Sequence, residues 1–138
     1  MSSSPVLTGA CACGAVRYEI DAPLTAAVYC HCGRCQRRSG AAAGPAGRVA
    51  PGSVRVVAGE EQLRAWDPDG GREKVFCGTC GSGLFVRTPD EGIIVVRLGS
   101  LDQDPGVRPA ARVFVDYAAV WEPIPDDGLP RFPERSAV

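Results

Sequence analysis

The chain has 138 residues, 45% hydrophobic and 22% charged, which places it among soluble globular proteins and outside the disordered class. A formal net charge of −1 and a pI near 5.8 offer no general attraction to nucleic acid or an anionic membrane surface, so neither is expected as a partner. No apolar run reaches about eighteen residues, and the start from Met1 to Gly9 lacks a basic segment followed by an apolar one, so a cytoplasmic protein is expected.

In chain order, residues 15–20 and 53–57 alternate apolar with polar side chains, the period of a half-buried strand. Further strands are expected over 62–66, 73–76, 83–87, 93–98 and 112–117. Only residues 34–39 have the look of a helical turn, so the class is mainly β. Pro51-Gly52, Pro68-Asp69-Gly70-Gly71 and Pro105-Gly106 are turn signals and predict hairpins. Pro123, Pro125, Pro130 and Pro133 exclude regular structure from the end of the chain. The expected organisation is one domain over 1–138, with a core over about 5–121 and a proline-rich tail over 122–138 lying along the surface.

The seven cysteines fall in three tight groups: Cys11 with Cys13; Cys30, Cys32 and Cys35; and Cys77 with Cys80. An odd number, clustered so closely in a chain expected to be cytoplasmic, argues for metal rather than for a disulfide framework. Residues two apart in extended chain point to one side, and a C-x-x-C turn brings two sulfurs round one point, so each group is a partial chelate. Zinc is tetrahedral and takes thiolate readily; seven sulfurs divide into a closed site of four and an open site of three. Spacing leaves two pairings. Cys11 and Cys13 can join Cys77 and Cys80, leaving the central trio whole, or take Cys32 and Cys35 and strand Cys30 with the last pair. The first is preferred because it keeps every local chelate intact and ties the start of the chain to its middle. It predicts two zinc ions per chain.

The motifs Gly9-Ala10-Cys11-Ala12-Cys13-Gly14, Cys30-His31-Cys32-Gly33-Arg34-Cys35, Phe76-Cys77-Gly78-Thr79-Cys80-Gly81 and Leu98-Gly99-Ser100-Leu101 follow in this order. With Val113-Phe114-Val115 and the stretch from Trp121 to Pro130, they resemble the family of glutathione-dependent formaldehyde-activating enzymes and centromere protein V over nearly the whole chain. The resemblance implies a zinc-stabilised β-tent fold of small stacked antiparallel sheets. It implies a structural zinc on Cys11, Cys13, Cys77 and Cys80, and a second, active zinc on Cys30, Cys32 and Cys35. Two positions depart from the family pattern: Arg112 stands where His is common before the Phe of the closing strand, and Ala43 where an aromatic follows the Gly-Ala-Ala stretch.

Zinc on three thiolates keeps a position that suits a further sulfur, which points to carbon–sulfur bond making or breaking on a small thiol or thiol adduct of the glutathione kind. The trio is thus the expected catalytic group, with Arg34, Arg37 and Arg38 as candidates for a substrate carboxylate. His31, the only histidine, should point away from its neighbours' sulfurs, and its pKa suits acid–base work. Asp102 and Asp104 are candidate bases or solvated loop residues, and Trp66 and Trp121 are expected in the core or covering a sheet. The alternative to a lyase-type enzyme is a non-catalytic zinc module that binds a partner.

Overall fold

The computed structural model describes residues 5–135. Its strands are β1 (Leu7–Ala10), β2 (Arg17–Ile20), β3 (Ala26–Cys30), β4 (Gly44–Arg48), β5 (Val54–Ala58), β6 (Leu63–Trp66), β7 (Glu73–Cys77), β8 (Gly83–Thr88), β9 (Gly92–Arg97) and β10 (Arg112–Val113). One α-helix, α1 (Gly33–Ser39), joins β3 to β4. The strands form a small sheet β1-β2-β5 and a large one in the order β10-β3-β4-β9-β8-β7-β6. This is the expected mainly β architecture of small stacked sheets. It departs from the antiparallel expectation at one place: β10 runs parallel to β3.

The two sheets share one apolar layer. Period-two alternation turns Tyr18 and Ile20 of β2 inward, where they meet Leu84 and Phe85 of β8, Val75 of β7 and Val96 of β9, all almost fully buried. Tyr18 meets Phe85 edge to face with ring centroids 4.9 Å apart, the arrangement aromatic quadrupoles favour. The Tyr18 hydroxyl hydrogen-bonds Ser100, and Thr8 Oγ1 donates to Asp102 at 2.6 Å, so the segment after β9 is fastened to the small sheet. Gly9 lies flat on the Tyr18 ring, and a Cβ there would collide with Cζ and the hydroxyl. Gly9→Ala is expected to lower stability by about 1–3 kcal/mol, the usual range for overpacking, read as a lower midpoint in a denaturant titration.

Strands β5 to β9 lie within a residue or two of their expected places, and β2 is shorter than the alternation over 15–20 suggests. The strand expected over 112–117 ends at Val113, because Phe114 takes a left-handed conformation (φ 58°) and Val115–Tyr117 form a 3-10 turn. Pro68 to Gly71 makes the β6–β7 hairpin. Pro51-Gly52 instead carries the chain from one sheet to the other, and Pro105-Gly106 lies in the long connection into β10. Trp66 and Trp121 are exposed, not core residues; the Arg34 guanidinium lies 5.7 Å from the Trp66 ring centroid. Over residues 122–135 the tail is mostly exposed, yet Arg112 N–H donates to the Pro130 carbonyl and Phe132 N–H to that of Arg112, both at 2.9 Å, fastening it beside β10.

Candidate metal centres

Two hairpins bring the first and last cysteine pairs together. Cys11 and Cys13 occupy the β1–β2 turn, where Gly14 (φ 79°) closes the turn with its N–H on the Cys11 carbonyl at 3.1 Å. Cys77 ends β7, and Cys80 sits in the turn to β8, closed by Gly81 (φ 82°) with its N–H on the Cys77 carbonyl at 2.8 Å. Both glycines hold a backbone conformation that side-chain-bearing residues rarely adopt. The four Sγ atoms lie within 4.8 Å of one another and can hold a metal ion.

All seven cysteines are free thiols. Cys13 Sγ stands 3.6 Å from Cys11 Sγ and 3.9 Å from Cys77 Sγ. A tetrahedral ion with metal–sulfur bonds of about 2.3 Å needs sulfur–sulfur edges of about 3.8 Å, so these separations fit a metal, whereas a disulfide needs about 2.05 Å. Backbone amides are aimed at the sulfurs: Val16 N–H donates to Cys11 Sγ at 3.2 Å and Thr79 N–H to Cys77 Sγ at 3.4 Å. Ser82 accepts from Ala12 N–H at 2.9 Å and lies 3.2 Å from Cys80 Sγ. Hydrogen bonds from Ser82, through its side chain first and its backbone second, hold the Cys80 thiol down to about 5, so it is a thiolate at neutral pH. The group spans both sheets, because β1 belongs to the small sheet and β7 and β8 to the large one.

The central trio is local. Cys30 ends β3, and Cys32 caps α1 by accepting from Cys35 N–H at 3.3 Å. Cys35 is in the first turn of that helix. Their three Sγ atoms also lie within 4.8 Å of one another and can hold a metal ion. The hydrogen bond with Cys30 is the main influence holding Cys35 down to about 5, assisted by the positive charge of Arg97; the same bond and burial push Cys30 up. Cys35 is therefore already anionic near neutral pH.

His31 does not join either sulfur group. It is 3% exposed, and its Nε2 accepts from Arg112 Nη1 at 3.2 Å. Burial, then the Arg112 charge, lowers its pKa, so the ring is neutral at neutral pH. Arg112 is itself buried, lies 4.4 Å from the Tyr29 ring centroid, and donates to Asp127 of the tail at 2.8 Å. The departure at position 112 thus supplies a cation that ties His31 to the tail. Ala43, the other departure, is half-buried beside β4.

A cleft of about 510 Å³ runs between the two cysteine groups, lined by Cys11 on one side, Cys35 on the other, and Arg38, Arg97, Ser100 and Asp102. Of the three arginines considered from sequence, only Arg38 lines it. Arg34 is paired with Asp69 at 2.7 Å, and Arg37 lines a second hollow of about 440 Å³ with Tyr117 and Trp121. Asp102 faces the cleft, but its carboxylate is occupied by Thr8 and Arg17; Asp104 is paired with Arg108 at 2.8 Å. Sequence reading missed Arg97. Its signal lay in the step from strand to the Leu98-Gly99-Ser100-Leu101 motif, which places the last residue of β9 at the cleft.

Two stacked β-sheets carrying one closed group of four thiols and one group of three beside a cleft define a small β protein built around candidate metal centres. A profile of the glutathione-dependent formaldehyde-activating enzyme (GFA) family matches residues 6–117, and the chain belongs to that family. A crystal structure of a Rhodobacter sphaeroides protein, a structural-genomics target, is similar with a TM-score of 0.56 and 26% identity, covering 91% of this chain and 98% of that one. No curated protein matches the chain. Among the described residues, no helix is long and apolar enough to cross a membrane.

Proposed function

We propose that the protein is a zinc-dependent enzyme of carbon–sulfur lyase type acting on a small thiol adduct, with Cys30, Cys32 and Cys35 as its reactive centre. The observation that carries the reading is the gathering of three free sulfurs beside the cleft, with Cys35 on its wall. Cys11, Cys13, Cys77 and Cys80 would hold a structural zinc, and the trio a second one. When bound, zinc on three thiolates supplies an open position that favours a fourth sulfur and the ionised form of a thiol. The chain's own residues do the rest. Arg38 and Arg97 make the trio's side of the cleft positive. His31, neutral and held by Arg112, is kept from competing for the metal. The family's description supports the reaction class, a thiol combining with or leaving a small carbonyl carbon. Seven reduced cysteines suit a reducing compartment such as the cytoplasm.

Metal analysis of the freshly purified chain is expected to give close to two zinc ions per molecule. In the cobalt-substituted protein, free thiols such as glutathione or cysteine are expected to change the visible spectrum, while their S-methylated forms, which cannot ionise, leave it unaltered. Equal responses to free and methylated compounds would exclude a thiol site. No response to any thiol would favour the partner-binding module.

A further inference from the structure

Among the described residues, the arginines that pair with no carboxylate are exposed (Arg37, Arg48, Arg64, Arg72, Arg131 and Arg135) except for two on the cleft wall. Six other arginines among the described residues are paired with carboxylates: Arg17, Arg34, Arg55, Arg87, Arg108 and Arg112. Arg38 and Arg97 pair with none of the described carboxylates, although both are half-buried and both line the same cleft. Burial, and then the charge of Arg97, depresses Arg38, while the anionic Cys35 sulfur acts in the opposite direction. The one carboxylate on the cleft wall, Asp102, is turned to Thr8 and Arg17. Two half-buried guanidiniums facing one space, with no carboxylate turned to them, suit an anionic ligand.

The place of that anion relative to the trio can be read at Gly44. A Cβ on Gly44 would stand 3.0 Å from Arg97 Nη1, 3.3 Å from Cys35 Cβ and 3.6 Å from Cys35 Sγ, so the guanidinium and the sulfur border the same point. Gly44 is opposite Cys30 in the β3–β4 register, and its missing side chain is what lets the arginine approach the cysteines. A carboxylate held by Arg97 therefore lies beside the trio, not at the far end of the cleft. In glutathione both carboxylates are separated from the thiol by several bonds and a peptide link.

We propose that Arg97, assisted by Arg38, is the anion subsite of the cleft, and that the preferred substrate thiol carries its carboxylate on a spacer of one or two carbons. This rests on the thiol-site reading and narrows it to short mercaptocarboxylates and their carbonyl adducts. The geometry favours a carboxylate fixed by the guanidinium of Arg97 while the thiol faces the sulfurs, with two attachment points setting the spacing.

The test titrates the cobalt-loaded full chain with mercaptoacetate, mercaptoethanol and glutathione and follows the visible spectrum. Mercaptoacetate is expected to reach half-saturation at about one-tenth the concentration of mercaptoethanol, the effect of one charge-assisted hydrogen bond on affinity. Glutathione is expected to bind no better than mercaptoethanol. Arg97→Gln should bring the ratio of the mercaptoethanol to the mercaptoacetate midpoint to about one, whatever it does to the two midpoints separately; Arg38→Gln should reduce the ratio, and Arg37→Gln, outside the cleft, should not. Equal midpoints for the charged and neutral thiols in the unaltered protein, or a preference for glutathione over mercaptoacetate, would overturn the proposal whatever the variants do. Calorimetry with (methylthio)acetate, which has the carboxylate but no thiol, separates the two readings. Heat that is lost in Arg97→Gln supports the anion subsite even where no thiol perturbs the metal spectrum and the thiol-site reading fails. Absence of heat together with equal thiol midpoints removes the subsite and leaves the thiol reading standing.

Discussion

Cys80→Ser is expected to abolish the cooperative thermal transition, or to lower the melting temperature so far that the protein aggregates on purification, although the side chain it alters is exposed. Exchanging an exposed thiol for a hydroxyl of similar size is a surface substitution, and changes of that kind stay within about 0.5 kcal/mol. The large effect has to come through the metal. Cys80 is one of four sulfurs that can hold one metal ion, and that ion would clamp the β1–β2 turn of the small sheet to the β7–β8 turn of the large one. A structural zinc contributes an apparent 10–16 kcal/mol or so to folding in zinc-finger peptides, while whole domains are stable by only about 5–15 kcal/mol, so losing one ligand can consume the whole margin. Melting temperature and zinc content, compared with those of the unaltered protein before and after a chelator, decide it. A variant that has lost one zinc yet melts within a few degrees of the parent would show that the clamp is dispensable.

The cysteine groups that can hold metal were legible in part from spacing, because C-x-C and C-x-x-C segments bring neighbouring sulfurs together locally, with Gly14 and Gly81 closing the turns of the first and last pairs; the joining of those two pairs is a contact between distant segments. Strands β5 to β9 were legible for a similar reason, since alternation over four to six residues has one reading on a half-buried sheet. β1, β3 and β4 were not. β4 reads Gly44-Pro45-Ala46-Gly47-Arg48, a turn by composition, yet it lies between β3 and β9. Each of its odd residues answers to a neighbour. Gly44 makes room for Cys35 and Arg97, and a Cβ on Gly47 would stand 2.8 Å from both Leu24 and Leu98. Pro45 is tolerated because the β4–β9 pairing begins only at Ala46, so no ladder partner on that side loses a donor. β1 was hidden by Gly9, whose absent side chain admits Tyr18. These glycines serve contacts between segments distant in sequence, and a single chain read along its length does not display such contacts.

The cleft was legible only in part, again for want of distant contacts. Arg38 stands three residues from Cys35 and could be considered from its position alone, whereas Arg97 reaches the same cysteine from the end of β9. Arg34 and Arg37 looked equivalent to Arg38 in sequence, but Arg34 pairs with Asp69 and Arg37 lines the Tyr117–Trp121 hollow, partners far away along the chain.

The same contrast between local and distant contacts governs Cys35→Ser, whose expected result is a folded protein that has lost its response to thiols. The trio lies within six consecutive residues, and both its neighbouring strands are held independently of it. Tyr29 N–H donates to the Ala111 carbonyl at 3.0 Å and His31 N–H to that of Val113 at 2.9 Å, while β3 pairs with β4 along its whole length. Removing one sulfur there opens no link between the sheets. The serine hydroxyl fits the space beside Gly44 that the thiol fills, so the folding penalty should stay near the 1 kcal/mol or so typical of point substitutions. At the centre itself the loss is severe, because Cys35 is the one member of the trio on the cleft wall and its thiol is held down to about 5. The variant should retain one zinc and a melting temperature within a few degrees of the parent, and its cobalt form should show no spectral change with mercaptoacetate or glutathione. Were Cys35→Ser to unfold the protein as thoroughly as Cys80→Ser, the trio would be a second folding site, and the partner-binding module would replace the enzyme.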